Sequence, residues 1–313
     1  MQIIENGFIS SNGVNKIRTK KWVPEGKPKG IIQYAHGLCG YIETATETAE
    51  WFCSRGFIFI ANDALGHGPW AAETGDLGYF SDSDGWTHVV NDFAFLFDTT
   101  RKEYPNLPYF VFGNSMGSFI VRTFLIRRPE NISGAILTGT SMNPPEVIEG
   151  GKKVAYENLE RKGGLRGRTG KLMAFCFGHY NDRFQPAETD SDWINRDHKQ
   201  IEAGLKDPLT QFFFTIGLFL DMTSGQEYNM RPENLEKMNK NTPILLLSGA
   251  DDAAGEFGKG PKLAKEAFEN AGMRDLTLKL YDGARHDILK ELNKKEVHAF
   301  ILNWIEEKIK KRT

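Results

Sequence analysis

The chain has 313 residues, enough for one large α/β domain carrying an insertion or for two ordinary domains, and its 40% hydrophobic and 26% charged content is that of a water-soluble globular protein. A net charge of -2 leaves no basic excess to hold a nucleic-acid backbone, and three scattered cysteines, Cys39, Cys53 and Cys176, exclude a disulfide framework or a CxxC-type metal site. The start, MQIIENGFISSNGVNK, lacks a basic segment followed by an apolar core, and the longest apolar stretch, Phe212 to Leu220, is about half a membrane span, so the sequence predicts a chain of a reducing, cytoplasmic compartment.

The first segments alternate weakly and break at Asn12-Gly13 and around Pro24, Gly26 and Pro28, which predicts an antiparallel hairpin at a sheet edge. Gly30 to Ala35 (GIIQYA) reads as a buried strand ending in His36-Gly37-Leu38-Cys39-Gly40. A helix over Thr44 to Ser54 leads to a second strand, Phe57 to Ala61, and the turn Asn62-Asp63-Ala64-Leu65-Gly66-His67-Gly68. Strand, helix and strand at this spacing predict right-handed crossovers and a parallel sheet. Asp82-Ser83-Asp84-Gly85 then opens a helix with Trp86, Val89, Val90, Phe93, Leu96 and Phe97 on one face.

Next comes the most informative stretch. Pro108 to Phe112 is a strand-like run that breaks into Gly113-Asn114-Ser115-Met116-Gly117 and enters an apolar helix stopped by Pro129. A serine between glycines at this spacing fits a sharp strand-to-helix turn, with its hydroxyl exposed at the carboxyl edge of the sheet.

A strand at Gly134 to Thr138 follows, and the next does not come until Pro243 to Leu247. Asn143 to Thr242 is therefore expected to be an inserted, mainly helical cap, with 1–142 and 243–313 forming the core. Within it, Gln211 to Met222 is apolar nearly all round and predicts a buried helix, either packing cap against sheet or walling an acyl tunnel with Phe212, Phe213, Phe214 and Phe219. The basic run Lys152 to Lys171 reads as a solvated, mobile loop; its sharper reading is a rim for anionic lipid or phosphate, which limits membrane contact to a peripheral one through the cap. The core resumes with a helix near Pro261 to Ala271, a strand at Leu276 to Tyr281, and a closing helix that buries Val297, Phe300, Ile301, Trp304 and Ile305.

A serine hydroxyl needs a base, and the base an orienting acid. His88 and His298 sit in amphipathic helices, His179 and His198 in the inserted segment, and His36 and His67 in turns where an imidazole holds a loop. His286 remains, just beyond the last strand and late in the chain, as the order serine, acid, histidine requires. The acid should leave the preceding strand, where Asp251 and Asp252 are both within reach by spacing. An oxyanion hole needs two backbone N–H groups, for which Met116 and Leu38 are the candidates, with Cys39 a bystander.

These stretches resemble the α/β-hydrolase superfamily, and within it the monoacylglycerol lipase and lysophospholipase-like hydrolases also labelled serine aminopeptidase-like. The resemblance is carried by YAHG at 34 to 37, ANDALGHG at 61 to 68, LGYFSDSDGW at 77 to 86, GNSMGS at 113 to 118, GAILTGTS at 134 to 141, LLLSGADD at 245 to 252 and LYDGARHDIL at 280 to 289. Trp193 to Asp197 and Asp207-Pro208 also resemble bacterial members. It implies an α/β-hydrolase fold, a mostly parallel sheet flanked by helices, and a catalytic triad of Ser115, Asp252 and His286. Asp252 is preferred to Asp251 as the fourth residue of Gly249-x-x-Asp, and Leu38 and Met116 are implied as oxyanion donors. The implied activity is hydrolysis of a monoacyl lipid ester or a similar small hydrophobic ester, with no cofactor and no metal; the sequence carries no mark of an oligomeric state. Asn114, Gly40-Tyr41 and Leu65 depart from the residues the family often has. An aminopeptidase would need a carboxylate cluster for the substrate ammonium, for which Glu146, Glu149, Glu188, Asp190 and Asp192 are candidates. A silent binding module on the same scaffold is the reading from another class.

Overall fold

Strands that read as unbroken apolar runs must be covered on both faces, and in the computed structural model, which describes residues 1–311, they are. Every position is buried in β3 (Gly30–Ala35), β4 (Phe57–Asn62), β5 (Tyr109–Asn114), β6 (Gly134–Thr138) and β7 (Ile244–Gly249). With β1 (Gln2–Ile9), β2 (Lys16–Val23) and β8 (Leu276–Tyr281) they form, among the described residues, one eight-stranded sheet in the order β1-β2-β4-β3-β5-β6-β7-β8. β1 and β2 make the expected edge hairpin, Gln2 opposite Val23 and Ile9 opposite Lys16, and β2 runs antiparallel to β4. The other neighbours are parallel, so the carboxyl ends of β3, β5, β7 and β8 open on the same edge.

Two apolar layers cover the sheet. On one face Phe93 and Phe97 of α3 (Gly85–Glu103) meet Phe124 of α4 (Met116–Arg127) edge-on, at 5.2 and 5.1 Å between ring centroids. On the other, Phe52 of α1 (Thr46–Cys53) and Ile301, Trp304 and Ile305 of the C-terminal helix (Lys294–Lys310) share a core. The helix expected from Thr44 begins with a 3-10 turn over Ile42–Ala45, and a short helix, α2 (Gly68–Thr74), follows β4 where none is predicted, its end closed by Gly75 at φ 75°.

Between β6 and β7 the described chain holds helices and no strand: α5 (Pro145–Leu159), α6 (Gly170–Phe177), α7 (His198–Lys206), α8 (Ile216–Met230) and α9 (Pro232–Leu235). α8 is seated on α4 by a buried amide, Asn229, whose Nδ2 donates to Phe119 O (2.9 Å) while its Oδ1 accepts from Thr123 Oγ1 (2.8 Å). After β7 come α10 (Lys259–Asn270), β8 and the C-terminal helix, α11.

Two expectations for this segment are corrected. Gln211 to Thr215 is not helical, although Ile216 onward is. Its backbone is claimed from outside: Arg168 Nε donates to Phe213 O (2.7 Å), Thr215 N donates to Gly78 O (2.9 Å), and the Thr215 hydroxyl caps α8 by accepting from Leu218 N (3.1 Å). Phe213 is consequently turned out, 55% exposed, while Phe214 and Phe219 are buried. The basic run is also less free than a solvated loop. Its first part continues α5, Arg166 pairs with Asp76 (2.7 Å) and lies over the Tyr79 ring (4.0 Å), and Lys152 pairs with Glu227 (2.5 Å).

Candidate active site

The turn after β5 is tight enough to force Ser115 to φ 53° and ψ −121°, a conformation that costs an L-residue roughly 1–3 kcal/mol and needs support. Support comes from Ser115 N donating to Thr138 O (2.9 Å), and from Ser118 N (2.8 Å) and Ser118 Oγ (2.6 Å) donating to Ser115 O. The flanking glycines are dictated by space: a Cβ on Gly113 would lie 2.2 Å from Gly117 O, and one on Gly117 would lie 2.0 Å from Ala35 O.

His286 leaves the loop after β8 and reaches the turn. Its Nε2 lies 2.9 Å from Ser115 Oγ and its Nδ1 lies 2.9 Å from Asp252 Oδ1. Asp252 is fully buried beyond β7, its Oδ2 accepting from Ser248 Oγ (3.2 Å). Asp251, which spacing left open, is exposed and contributes its backbone N–H to Ala284 O (3.0 Å). Gly249 lets this turn press on the histidine loop, since a Cβ there would lie 2.0 Å from Ala284 O. Burial disfavours the imidazolium of His286, but the charge and hydrogen bond of Asp252, aided by Asp287, outweigh it and raise the pKa above the ordinary histidine value.

Met116 follows the serine directly, and Leu38 follows Gly37, which lies against it. Met116 is the first residue of α4, where an N–H has no intrahelical acceptor. The Leu38 N–H is set by the peptide before it. His36 Nε2 accepts from Ala64 N (2.9 Å), so its proton is on Nδ1 and is donated to Gly37 O (2.8 Å), which also accepts from Gly40 N (3.0 Å). In a trans peptide the following N–H points opposite to that carbonyl. Burial pushes the His36 pKa down to about 4, so the ring stays neutral and keeps this arrangement through neutral pH. Gly37 lies against the serine itself, 3.1 Å from Ser115 Cβ were it to carry a Cβ. Burial pushes the Cys39 thiol up to about 12, far from a thiolate nucleophile.

An aromatic row, of which the sequence singled out Phe214 and Phe219 but neither Trp193 nor Phe177 as a wall, leads away from the histidine. Trp193 packs on the His286 ring (5.2 Å), Phe177 stacks on Trp193 (5.8 Å), and Phe214 meets Phe177 edge-on (6.0 Å) before stacking on Phe219 (6.3 Å). Phe212 stands apart, beside His67 (5.6 Å), with its carbonyl facing Cys39 Sγ (3.7 Å). The carboxylates weighed for an aminopeptidase have partners of their own or face solvent. Asp192 accepts from the Glu188 and Thr189 N–H groups of its own loop, Glu188 pairs with His198 (3.3 Å), and Glu146, Glu149 and Asp190 are exposed. Among the described residues no group of three or more His, Cys, Asp or Glu side chains is arranged to hold a metal ion, and no helix is long and apolar enough to cross a membrane.

Known proteins resemble this one over most of the chain. The serine aminopeptidase (S33) family matches residues 26–293. A monoglyceride lipase of Rattus norvegicus is 29% identical over 283 residues, covering 87% of this chain and 80% of its own length. A monoacylglycerol lipase of Mycolicibacterium smegmatis is 25% identical and covers 96% of both. Among solved structures, a thermostable carboxyl esterase from Bacillus coagulans in complex with glycerol superposes with a TM-score of 0.91 at 28% identity, covering 99% of each chain.

Proposed function

The chain belongs to the serine aminopeptidase (S33) family of α/β-hydrolases, and from that premise we propose that it hydrolyses carboxylic esters of monoacyl lipids, or similar small hydrophobic esters, through an acyl-enzyme. The observation that carries this reading is the continuous contact from Ser115 Oγ through both nitrogens of His286 to Asp252, 2.9 Å at each step. In the proposed mechanism Ser115 attacks the ester carbonyl while His286 Nε2 takes its proton and returns it to the leaving alcohol. Asp252 holds the Nδ1 proton and stabilises the imidazolium, and the Leu38 and Met116 N–H groups receive the oxyanion. Water then repeats the attack on the acyl-serine and frees the acid. The relatives named monoglyceride lipase support the ester class. The test is a panel of acyl esters, monoacylglycerols, lysophospholipids and aminoacyl amides offered to the purified protein. Turnover of the amides above the esters overturns the reading.

Because Asp252 raises the pKa of His286, kcat/KM should fall as pH is lowered through a value above the ordinary imidazole pKa of about 6.5, where the ring can no longer accept the serine proton. The same shift acts on stability with the opposite sign. A raised folded-state pKa stabilises the fold fully below the unfolded value, and that contribution is lost as pH rises through the folded one. A rate that stays flat down to about pH 5 removes His286 as the base.

We further propose that 143–242 caps the site and that the row Trp193, Phe177, Phe214, Phe219 walls the acyl chain, with Phe212 at the oxyanion side and Phe213 outside it. Each methylene taken from water is worth up to about 0.8 kcal/mol, or nearly fourfold in kcat/KM, so lengthening an ester from C4 to C8 should raise kcat/KM tens-fold before a plateau. Phe214→Ala should lower that plateau, and Phe213→Ala should change it by less than about twofold. Measured below micelle formation, a monotonic fall from C2 onward excludes the acyl wall.

A further inference from the structure

A catalytic imidazole has to be held to within about half an ångström, and for His286 the holding groups come from 192–197, in the middle of the helical segment. This stretch runs beside the histidine loop and is hydrogen-bonded to it along its length. His286 N donates to Trp193 O (3.4 Å), Asp287 N to Ile194 O (2.9 Å) and Asn195 Nδ2 to Asp287 O (3.1 Å). Arg285 reaches back, its Nη1 donating to the carbonyls of Asp192 and Asn195.

At the centre is Glu291, a carboxylate with no exposed surface. Its Oε1 accepts from the backbone N–H groups of Arg196 (3.1 Å) and Arg285 (3.0 Å); its Oε2 accepts from Arg196 Nε (2.9 Å) and Leu292 N (3.0 Å). Arg196 passes close to Gly283, where a Cβ would fall 2.9 Å from Arg196 Nη1. A buried carboxylate without a compensating role is expensive, and this one uses four acceptor directions on donors that bracket the histidine loop.

We propose that Glu291, acting with Arg196 and Asn195, is a positioning residue that fixes the backbone of residues 285–287, so that His286 meets Asp252 and Ser115 at once. It touches no reacting atom. The proposal rests on the triad reading given above. It makes 192–197 part of the reaction machinery, so any opening of the cap to admit substrate takes place elsewhere. The charged groups facing His286 are Asp252 from the turn after β7 and Asp287 from its own loop; the inserted segment faces it with the Trp193 indole.

The experiment compares the wild type with Glu291→Gln and Asn195→Ala by kcat, KM and the acid limb of kcat/KM. Glutamine keeps the shape but turns an NH₂ toward two N–H donors, so it breaks the clasp from within. In Glu291→Gln the expected result is a loss of at least about thirtyfold in kcat, a KM within about threefold, and an acid-limb pKa that falls toward the ordinary histidine value as the Asp252 contact loosens. Asn195→Ala should move the same limb in the same direction by a smaller step, and it stands in if the glutamine variant does not fold. Asp92→Asn, which disturbs a buried carboxylate bonded to Ser10 and Ser11, controls for lost stability and should leave the acid limb in place. An unchanged acid limb in the two clasp variants, or a loss confined to KM, overturns the proposal. A wild type that hydrolyses no ester and takes no fluorophosphonate on Ser115 overturns the triad reading instead.

Discussion

Ser115→Ala should abolish labelling by a fluorophosphonate probe and lower kcat on any ester the protein accepts by about four orders of magnitude or more. The size of the loss follows from the geometry: Ser115 is the hydroxyl within 2.9 Å of the buried His286 Nε2, and the proposed backbone donors at Leu38 and Met116 act on the oxyanion that attack by this hydroxyl puts on the substrate carbonyl oxygen. Removing Oγ leaves the turn, the glycines and the histidine in place, so the variant should fold and bind substrate. Labelling of the variant equal to that of the wild type would show that another serine is the nucleophile. Absence of labelling in the wild type would favour a silent scaffold.

Asp252→Asn should cost roughly 10³ to 10⁴ in kcat, whereas Asp251→Asn should cost less than about tenfold. An asparagine at 252 presents its NH₂ to His286 Nδ1 and so drives the proton to Nε2, where the ring donates to Ser115 Oγ and can no longer accept from it. The same change removes the charge that raises the His286 pKa, so the acid limb of whatever activity remains should move down. Asp251 offers the site only its backbone N–H, on Ala284 O, and amidation of its exposed side chain leaves that bond intact. The reverse ranking of the two variants would overturn the assignment of Asp252.

The centre of the sheet was legible because its strands are buried on both faces, and β3 and β6, like the alternating edge strand β8, have the bounds that the sequence predicted. Ser115 was legible because only glycine fits at 113 and 117, and that need is written in the sequence itself. The choice between Asp251 and Asp252 was not, since it depends on which way a turn faces once Gly249 presses on Ala284. Nor was the loop Gln211 to Thr215: apolar content signals burial, but the carbonyls and N–H groups that hold this stretch extended belong to Gly78 and Arg168. The Glu291 clasp is hidden for a similar reason, because Arg196 and Glu291 lie 95 positions apart and neither carries a motif of its own.

The residues of the proposed triad hang from three strands, and that distribution has a bearing on when the protein becomes competent during its own formation. Asp252 and His286 are 34 positions apart on adjacent strands, while Ser115 and His286 are separated by 171. Closing the longer loop costs about 1.4 kcal/mol more in chain entropy than closing the shorter one. The acid–base pair is thus nearly a local product of β7 and β8, and the nucleophile joins it only when the sheet has closed across β5, β6 and β7. A chain leaving the ribosome displays Ser115 long before His286 is made, so on the proposed mechanism it has a nucleophile before it has a base. Hydrolytic activity appearing during refolding would then time the final long-range closure of the sheet, independently of how early its helices form.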